Sequence, residues 1–579
     1  MGATAQDVTK AQAEQRATQF VQQHMAQRQG ARLAAGAMPE LTLAGEPCGL
    51  YAFNVEGGGY VIVSPDERAA SILGYSDSGN IDPENMPENM RAWLQGYAEE
   101  IAFIRGTRYE VRGTEEVRGA EEARGTRYEV RGAEETRGTR YEVRGTEETR
   151  GRRNAPATAS RTNIAPFIMT HWDQFEPYYN ECPMDGSDHS VTGCIATAFA
   201  QVMYHYQYPN ATTKEIPAYT TRTRGFYREA VPAGSSIDYS NMQAAYGWYN
   251  HDGSGWVQAT YTPAQGAAVA KLMAMIGNGV EMDYTAYSSG GNSELMVPTL
   301  TRYFGYDNQT TQRLIRASYS DSQWLDILYH ELQNGRPIAY SGVTSGNGGH
   351  TFLIDGYQTG DYFHVNWGWS TVSSDGYYLL SAMNPSGTSA YSGNGFNNRQ
   401  DAVLGIQPLG YGGTLSPEVT NADGVCLHLV DIQWSQNPVL PGSEVEIIAK
   451  VANNSANAYT MGIVFIPSDA MSFSTADIIP TDIASGQTVE IRKTITAPSS
   501  EGSIKYSAIY DRTGGGSWYK DQGFSTEPLI MSNSATGIEN LSPTLSKGEG
   551  AWYSLDGRRV EKPARGLYIH NGKKVIVKD

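Results

Sequence analysis

Cys194 and His350 are the residues best suited to do chemistry in this chain. Cys194 lies in Thr192-Gly193-Cys194-Ile195-Ala196-Thr197-Ala198, and His350 follows Gly349 and is followed downstream by Asn366-Trp367-Gly368-Trp369. A thiol at a helix start and an imidazole with a polar orienter are the parts of a cysteine nucleophile system. Thr192 is expected to cap the helix, leaving Cys194 in its first turn, where free N–H groups and the helix dipole favour a thiolate. The structural alternative is a small apolar residue packed on small neighbours. His350 stands between the flexible Gly346-Asn347-Gly348-Gly349 and the strand-like Thr351-Phe352-Leu353-Ile354. Asn366 can accept its Nδ1–H and turn Nε2 to the thiol, with Trp367 and Trp369 screening that bond from water. The alternative for Asn366-Trp367-Gly368-Trp369 is aromatic packing at a strand end. For the oxyanion of an acyl transfer, the donors are the Cys194 N–H and the side chain of Gln174, upstream in His171-Trp172-Asp173-Gln174. A lone loop glutamine is otherwise simply solvated. His205 shares the Cys194 helix but lies about 16 Å along its axis, too far to share a proton. His364 shares a strand face with Asn366 and reads as structural.

The elements that must position these groups are legible from periodicity. Residues 191–206 carry apolar Ile195, Ala198, Phe199, Val202, Met203 and Tyr206 on a helical period, closed by Pro209. Residues 323–333 read as a second helix, and residues 337–342, 351–357, 362–367 and 376–380 as strands between Gly, Asp and Ser turns. Helices first and an antiparallel sheet afterwards give an α+β domain over 161–411. Upstream, a helix over 6–28, strands over 50–55 and 59–64 and a helix over 88–104 make a small α+β domain, 1–104. Between them, 105–160 is a low-complexity linker in which Arg-Gly-Thr-Arg-Tyr-Glu-Val alternates with units such as Arg-Gly-Ala-Glu-Glu-Thr, too poor in aliphatic residues for a core. Alternating runs over 444–451, 461–466, 488–495 and 504–510 predict a β-sandwich spanning 412–533. Leu555-Asp556-Gly557-Arg558 and His570-Asn571-Gly572-Lys573 mark hairpins in a β tail, 534–579.

Composition narrows the function. The chain has 579 residues, too many for one core, and 62 acidic against 44 basic side chains give a net charge of −18, which argues against nucleic-acid and anionic-membrane partners. No apolar run is long enough for a membrane span. Cys48, Cys182, Cys194 and Cys426 show no metal-ligand spacing, so no metal and no cofactor is expected. Pairing of Cys182 with Cys194 stays an alternative that would silence the thiol. Residues 1–6 lack the apolar core of a signal peptide, so the chain is either cytosolic or trimmed after export.

Trp172-Asp173-Gln174, Pro177-Tyr178-Tyr179-Asn180, Cys182-Pro183, Gly193-Cys194-Ile195-Ala196-Thr197-Ala198 and Tyr204-His205-Tyr206-Gln207-Tyr208-Pro209 form a set with His350, Ile354-Asp355-Gly356, His364-Val365-Asn366-Trp367-Gly368-Trp369 and Asp375-Gly376-Tyr377. Together they resemble the streptopain family of papain-like cysteine proteases, in particular its interpain-type and PrtT-type members from Bacteroidetes, over residues 161–411. The resemblance implies a two-subdomain papain-like catalytic domain and a secreted or cell-surface zymogen with broad endopeptidase activity and a hydrophobic preference before the scissile residue. It assigns Cys194 as nucleophile, His350 as general base, Gln174 as oxyanion donor, and Asn366 with Trp367 as the elements that orient the histidine. Residues 282–293 and 386–396 are then expected to line the cleft. Residues 51–55, 59–64 and 72–76 resemble the family's propeptide, an intramolecular inhibitor that displaces the histidine until it is removed. Residues 566–569 and 573–578 resemble β tails that sort proteins outward. The array at 105–153 departs from the family pattern and obscures the maturation cut. Expected partners are protein or peptide substrates, host proteins among them, and the chain's own propeptide. The rival reading is a surface adhesin whose C-terminal β domains bind host molecules.

Overall fold

The computed structural model describes residues 7–28, 40–105, 129–131, 161–249, 257–316, 319–343, 349–369, 375–381, 400–416, 419, 427–453, 458–468, 470, 472–511, 518–533 and the tail strands 552–553, 559–560, 566–570 and 573–577. Of the 105–160 array, residues 106–128 and 132–160 lie outside the described residues, as do 386–396, Gly346-Asn347-Gly348 and both predicted tail turns.

The N-terminal region is a four-stranded antiparallel sheet between two helices. Strand alternation splits its side chains: Ala52, Tyr60 and Ile62 face one way, Phe53, Val55, Val61 and Val63 the other. Helix Lys10–Arg28 covers the second face with Ala13, Ala17 and Val21, spaced four apart on one stripe. Helix Glu88–Ile104 covers the first with Met90, Trp93, Leu94, Tyr97 and Ile101, again a helical period.

This sheet does not end at its own domain. Strand Ile72–Ser76 pairs antiparallel with Gly376–Tyr378, Tyr75 opposite Tyr377 and Gly74 opposite Tyr378. A side chain at Gly74 would fall 2.5 Å from the Tyr378 ring, so glycine is what lets the two strands approach. The result is one ten-stranded sheet in the order Leu41–Gly45, Tyr51–Val55, Tyr60–Val63, Ile72–Ser76, Gly376–Tyr378, Tyr362–Asn366, Gly349–Gln358, Ile338–Val343, Asp401–Leu404, Gln312–Ile315. Helix Glu88–Ile104 extends across the junction. Trp93, 2% exposed, packs edge-on against Tyr340, Phe352 and Trp367, at ring distances of 5.9, 5.5 and 6.4 Å.

Helices Cys194–Tyr206 and Pro263–Gly279 form the other half of the 161–411 region, with the first packed on strand Gly349–Gln358. The second helix is not anticipated by amphipathic periodicity, because most of its length is buried and its residues are mostly small or apolar. Its start is written in a capping box, Thr262 with Gln265, and Pro263 at the first position. Helix Asp321–Gln333 and the predicted strands fall close to their expected bounds, and among the described residues sheets of three and four strands lie between Leu427 and Ser525. The tail strands form a small four-stranded sheet. The whole is α+β, as expected.

Replacing Trp93 by alanine removes the largest side chain that joins the N-terminal helix to the common sheet. The expected cost is about 3–5 kcal/mol, read as a lower urea midpoint and faster tryptic cutting within residues 40–105. An unchanged midpoint and cutting rate would mean that Trp93 does not hold the two regions together.

Candidate active site

Cys194 is the first residue of its helix, but Thr192 does not cap it. Gly193 occupies the cap position at φ 85°, where a Cβ would fall 2.5 Å from Met282 Sδ and 2.9 Å from Ser289 O. That crowding, together with the left-handed backbone, admits only glycine. The Thr192 hydroxyl turns inward to Thr197 Oγ1 at 3.1 Å, and its N–H donates to Gln174 O at 3.3 Å. The last bond ties Gln174 to the helix start, and the side chain of Gln174 is buried there. Cys182 and Cys194 are both free thiols, so the alternative of a bond between them does not hold.

Cys194 Sγ accepts the N–H of Thr351 at 3.4 Å. The N–H groups of Cys194 and Ile195 and the Thr351 hydroxyl also act on the thiol to lower its pKa. Each donor favours the thiolate, yet burial outweighs them and pushes the thiol up. Cys182, more isolated from donors, is pushed up to about 12 by burial.

His350 is the second residue of strand Gly349–Gln358 and stands opposite Gly342. Side chains alternate along a strand. Thr351 and Leu353 face the helix that carries Cys194, and Leu353 belongs to the core on that side. Phe352 and Ile354 belong to the core on the other side, beneath helix Glu88–Ile104. His350 has the parity of Phe352, so its ring is turned to the face that the N-terminal helix covers, away from the thiol. Burial alone pushes its pKa down to about 4, with neither Cys194 nor Asn366 acting on it.

Asn366 stands opposite Leu353, three residues along from His350 or about 10 Å at the usual strand rise. Its Oδ1, expected to hold the imidazole, instead accepts from Gly368 N–H at 3.0 Å and Gln201 Nε2 at 3.3 Å, while Nδ2 donates to Thr170 O at 3.1 Å. Trp367 has the opposite parity. It is buried against Phe352 at 4.7 Å and Tyr378 at 5.2 Å, its N–H donates to Asp375 Oδ1, and its carbonyl accepts Asn89 Nδ2 at 2.6 Å. Cys194, Gln174 and Asn366 thus gather on one side of the sheet, and His350 and Trp367 on the other.

Sequence reasoning gave no role to Asn89, Gln201, Thr351 or Asp375, since most of their partners are distant in sequence. Asp375 is half-buried, and desolvation pushes its pKa up to about 6. His364, read as structural, has its Nδ1 2.6 Å from Asp355 Oδ1, and Asp355 Oδ2 accepts the N–H groups of Phe167 and Ile168. His205 packs on the rings of Phe167 and Tyr206. Among the described residues there is no cluster of metal-ligating side chains, and no helix is long and apolar enough to cross a membrane.

Comparison with known proteins matches residues 172–378 to the Peptidase C10 family and residues 5–101 to the Spi protease inhibitor family. Streptopain of Streptococcus pyogenes is 33% identical over 416 residues, covering 69% of this chain and 91% of that protein. The thiol protease/hemagglutinin PrtT of Porphyromonas gingivalis is 25% identical over 530 residues, covering 89% of this chain and 53% of that protein. Among solved structures, a prointerpain A fragment of Prevotella intermedia aligns with 27% identity and a TM-score of 0.46, over 64% of this chain and 98% of that one. Nothing in these matches supports the adhesin reading, and the word hemagglutinin belongs to the Porphyromonas protein. The chain is a cysteine-type peptidase carrying an inhibitor-type propeptide domain, and it belongs to the Peptidase C10, or streptopain, family.

Proposed function

We propose that Cys194 is the nucleophile of this peptidase and His350 its general base, that Gln174 and the Cys194 N–H bind the oxyanion, and that Asn366 and Trp367 orient His350 once it reaches the thiol. The observation that carries the reading is the Cys194 sulfur at the first helical position, against the N–H of the residue that follows His350. In the activated enzyme the thiolate attacks a peptide carbonyl carbon and the C–S bond forms. The oxyanion takes hydrogen bonds from Cys194 N–H and Gln174. The His350 imidazolium gives its proton to the amine as the C–N bond breaks, then takes one from the water that hydrolyses the thioester.

In the latent chain the two halves of this apparatus lie on opposite faces of one strand. A neutral thiol and a neutral imidazole, both partly buried, are each in the state that chemistry cannot use. Activation requires the first residues of strand Gly349–Gln358 to turn over, and helix Glu88–Ile104 packs on the face from which His350 must leave. Residues 1–104 act as the propeptide, 105–160 as the linker to be cut, 161–411 as the catalytic domain, 412–533 as the sandwich and 534–579 as the tail. Residues 282–293 line the cleft. The mature enzyme works outside the cell or at its surface, on proteins that include those of a host.

Cys194→Ala abolishes casein hydrolysis under reducing conditions, and Gln174→Ala lowers kcat by about 10²–10³-fold while iodoacetamide still labels Cys194. Hydrolysis that survives Cys194→Ala would remove the catalytic assignment, and an unchanged kcat in Gln174→Ala would remove the oxyanion role.

His350 also makes a prediction about pH. Its folded pKa, about 4, lies below the ordinary 6.5, so the folded chain binds fewer protons than the unfolded chain between those values. The contribution is complete above pH 6.5 and is lost as pH falls toward 4. In a Cys194→Ala background, the chain with His350 should lose up to about 3 kcal/mol relative to His350→Gln across this window, by urea unfolding at each pH. Asp375, pushed up to about 6, acts in the opposite sense but is common to both chains. Parallel pH profiles would show that His350 is hydrated in the latent chain.

A further inference from the structure

The C-terminal sandwich is packed into the catalytic half. Met296, Leu300 and Tyr303 on one side and Leu427, Ile432 and Leu529 on the other belong to one continuous buried apolar cluster. Arg302 crosses the boundary with its side chain 7% exposed. Its guanidinium donates to Ile432 O at 3.0 Å and Ser525 O at 3.4 Å and lies 3.6 Å from an Asp431 carboxylate oxygen. Nearer the surface, Lys505 Nζ pairs with Glu281 Oε1 at 3.0 Å. Strand Trp518–Ser525 runs against the turn Ser293–Leu295 and the adjoining Met296–Pro298.

Two of these contacts, the Lys505–Glu281 pair and the strand Trp518–Ser525, bracket a single loop. Glu281 stands at its start, with φ 48°, and Ser293–Leu295 at its end. Between them Asp283 and Gly290 exchange backbone hydrogen bonds at 2.8 and 3.3 Å, and Asn292 N–H closes on Val280 O at 2.8 Å. The interior of the loop lies on Gly193, where a Cβ would overlap Met282 and Ser289. Thr285 O accepts Val191 N–H at 3.1 Å, a second tie to the same approach to Cys194.

We propose that the β-sandwich is a positioning module for the catalytic centre: it holds both ends of loop 281–295, and the loop fixes Gly193 and hence the Cys194 N–H that receives the oxyanion. The inference rests on the assignment of Cys194 as nucleophile. Arg302 and Lys505 are positioning residues, since both act through the loop. They differ in strength. The Lys505–Glu281 pair is exposed and contributes little by itself, whereas removing Arg302 leaves two partly buried carbonyls and Asp431 without their cation.

The test uses full-length chains, activated and assayed on casein, with amide exchange measured on the same chains before activation. Arg302→Ala should lower kcat about tenfold or more, with KM within about twofold, and speed exchange over residues 282–292; Arg302→Lys should recover part of the loss. Glu281→Lys and Lys505→Glu should each lower kcat about two- to fivefold, and the double swap should restore it. The exposed swap keeps the test available if Arg302→Ala fails to fold. Wild-type kcat and exchange in the single swaps, or an activated enzyme that sheds residues 427–533 and keeps its full rate, would overturn the proposal. Cys194→Ala in the same assay separates the two readings, because surviving hydrolysis removes the catalytic assignment whatever the loop exchange shows.

Discussion

The alternation of side chains along strand Gly349–Gln358 is the constraint on which the latent state depends. A strand presents successive residues to opposite faces, and one strand here separates two cores. Thr351 faces the Cys194 helix, so His350 cannot do so while the backbone pairing of Gly342 with His350 persists. No clash or charge is needed to separate thiol from imidazole. A local change of strand geometry at the Gly349 end would join them, and the Asn366 oxygen proposed to receive the ring is meanwhile held by Gly368 and Gln201.

What stabilises that arrangement is the merging of the propeptide region with the catalytic sheet. Gly74 and Tyr75 pair with Tyr378 and Tyr377, the hydroxyls of Tyr60 and Tyr378 bond to each other, and Tyr97 OH donates to the carbonyls of Leu73 and Leu379. Trp93 fills the space over Phe352 and Trp367. Burial of this kind is large and cooperative, so the propeptide region is joined to the rest by more than its covalent linker. The sandwich is fused to the catalytic region through a second apolar core and the Arg302 bonds. As proposed, the Cys194 side of the site is supported from the sandwich, and the His350 side is controlled from the propeptide.

Much of this was legible from residue types and spacing. The helices over Glu88–Ile104, Cys194–Tyr206 and Asp321–Gln333 follow from apolar periods, and the placement of Cys194 at a helix start and of His350 at a strand start from the residues around them. Three things were hidden, each for a physical reason. Helix Pro263–Gly279 is buried through most of its length, so it lacks the polar contrast that makes a period visible. Gly193 displaces Thr192 as the cap because Met282 and Ser289, some ninety residues later, crowd the site. The face on which His350 sits depends on pairing and packing between residues far apart in the chain, for which a local window carries no signal. The same holds for Asn366, whose amide was expected at the imidazole and is bound to Thr170, Gln201 and Gly368 instead.

The central claim is that thiol and imidazole are uncharged and apart while the propeptide is docked, and the pH dependence of Cys194 alkylation tests it most directly. Labelling by iodoacetamide, followed at Cys194 by mass spectrometry, should be negligible at pH 6 in the latent chain. It should rise there only under alkaline conditions, because burial holds the thiol above its ordinary range. After propeptide removal the same residue should label readily at pH 6, as a thiolate paired with imidazolium. Equal rates at pH 6 before and after removal would contradict the account, since the pair would then already be assembled in the latent chain.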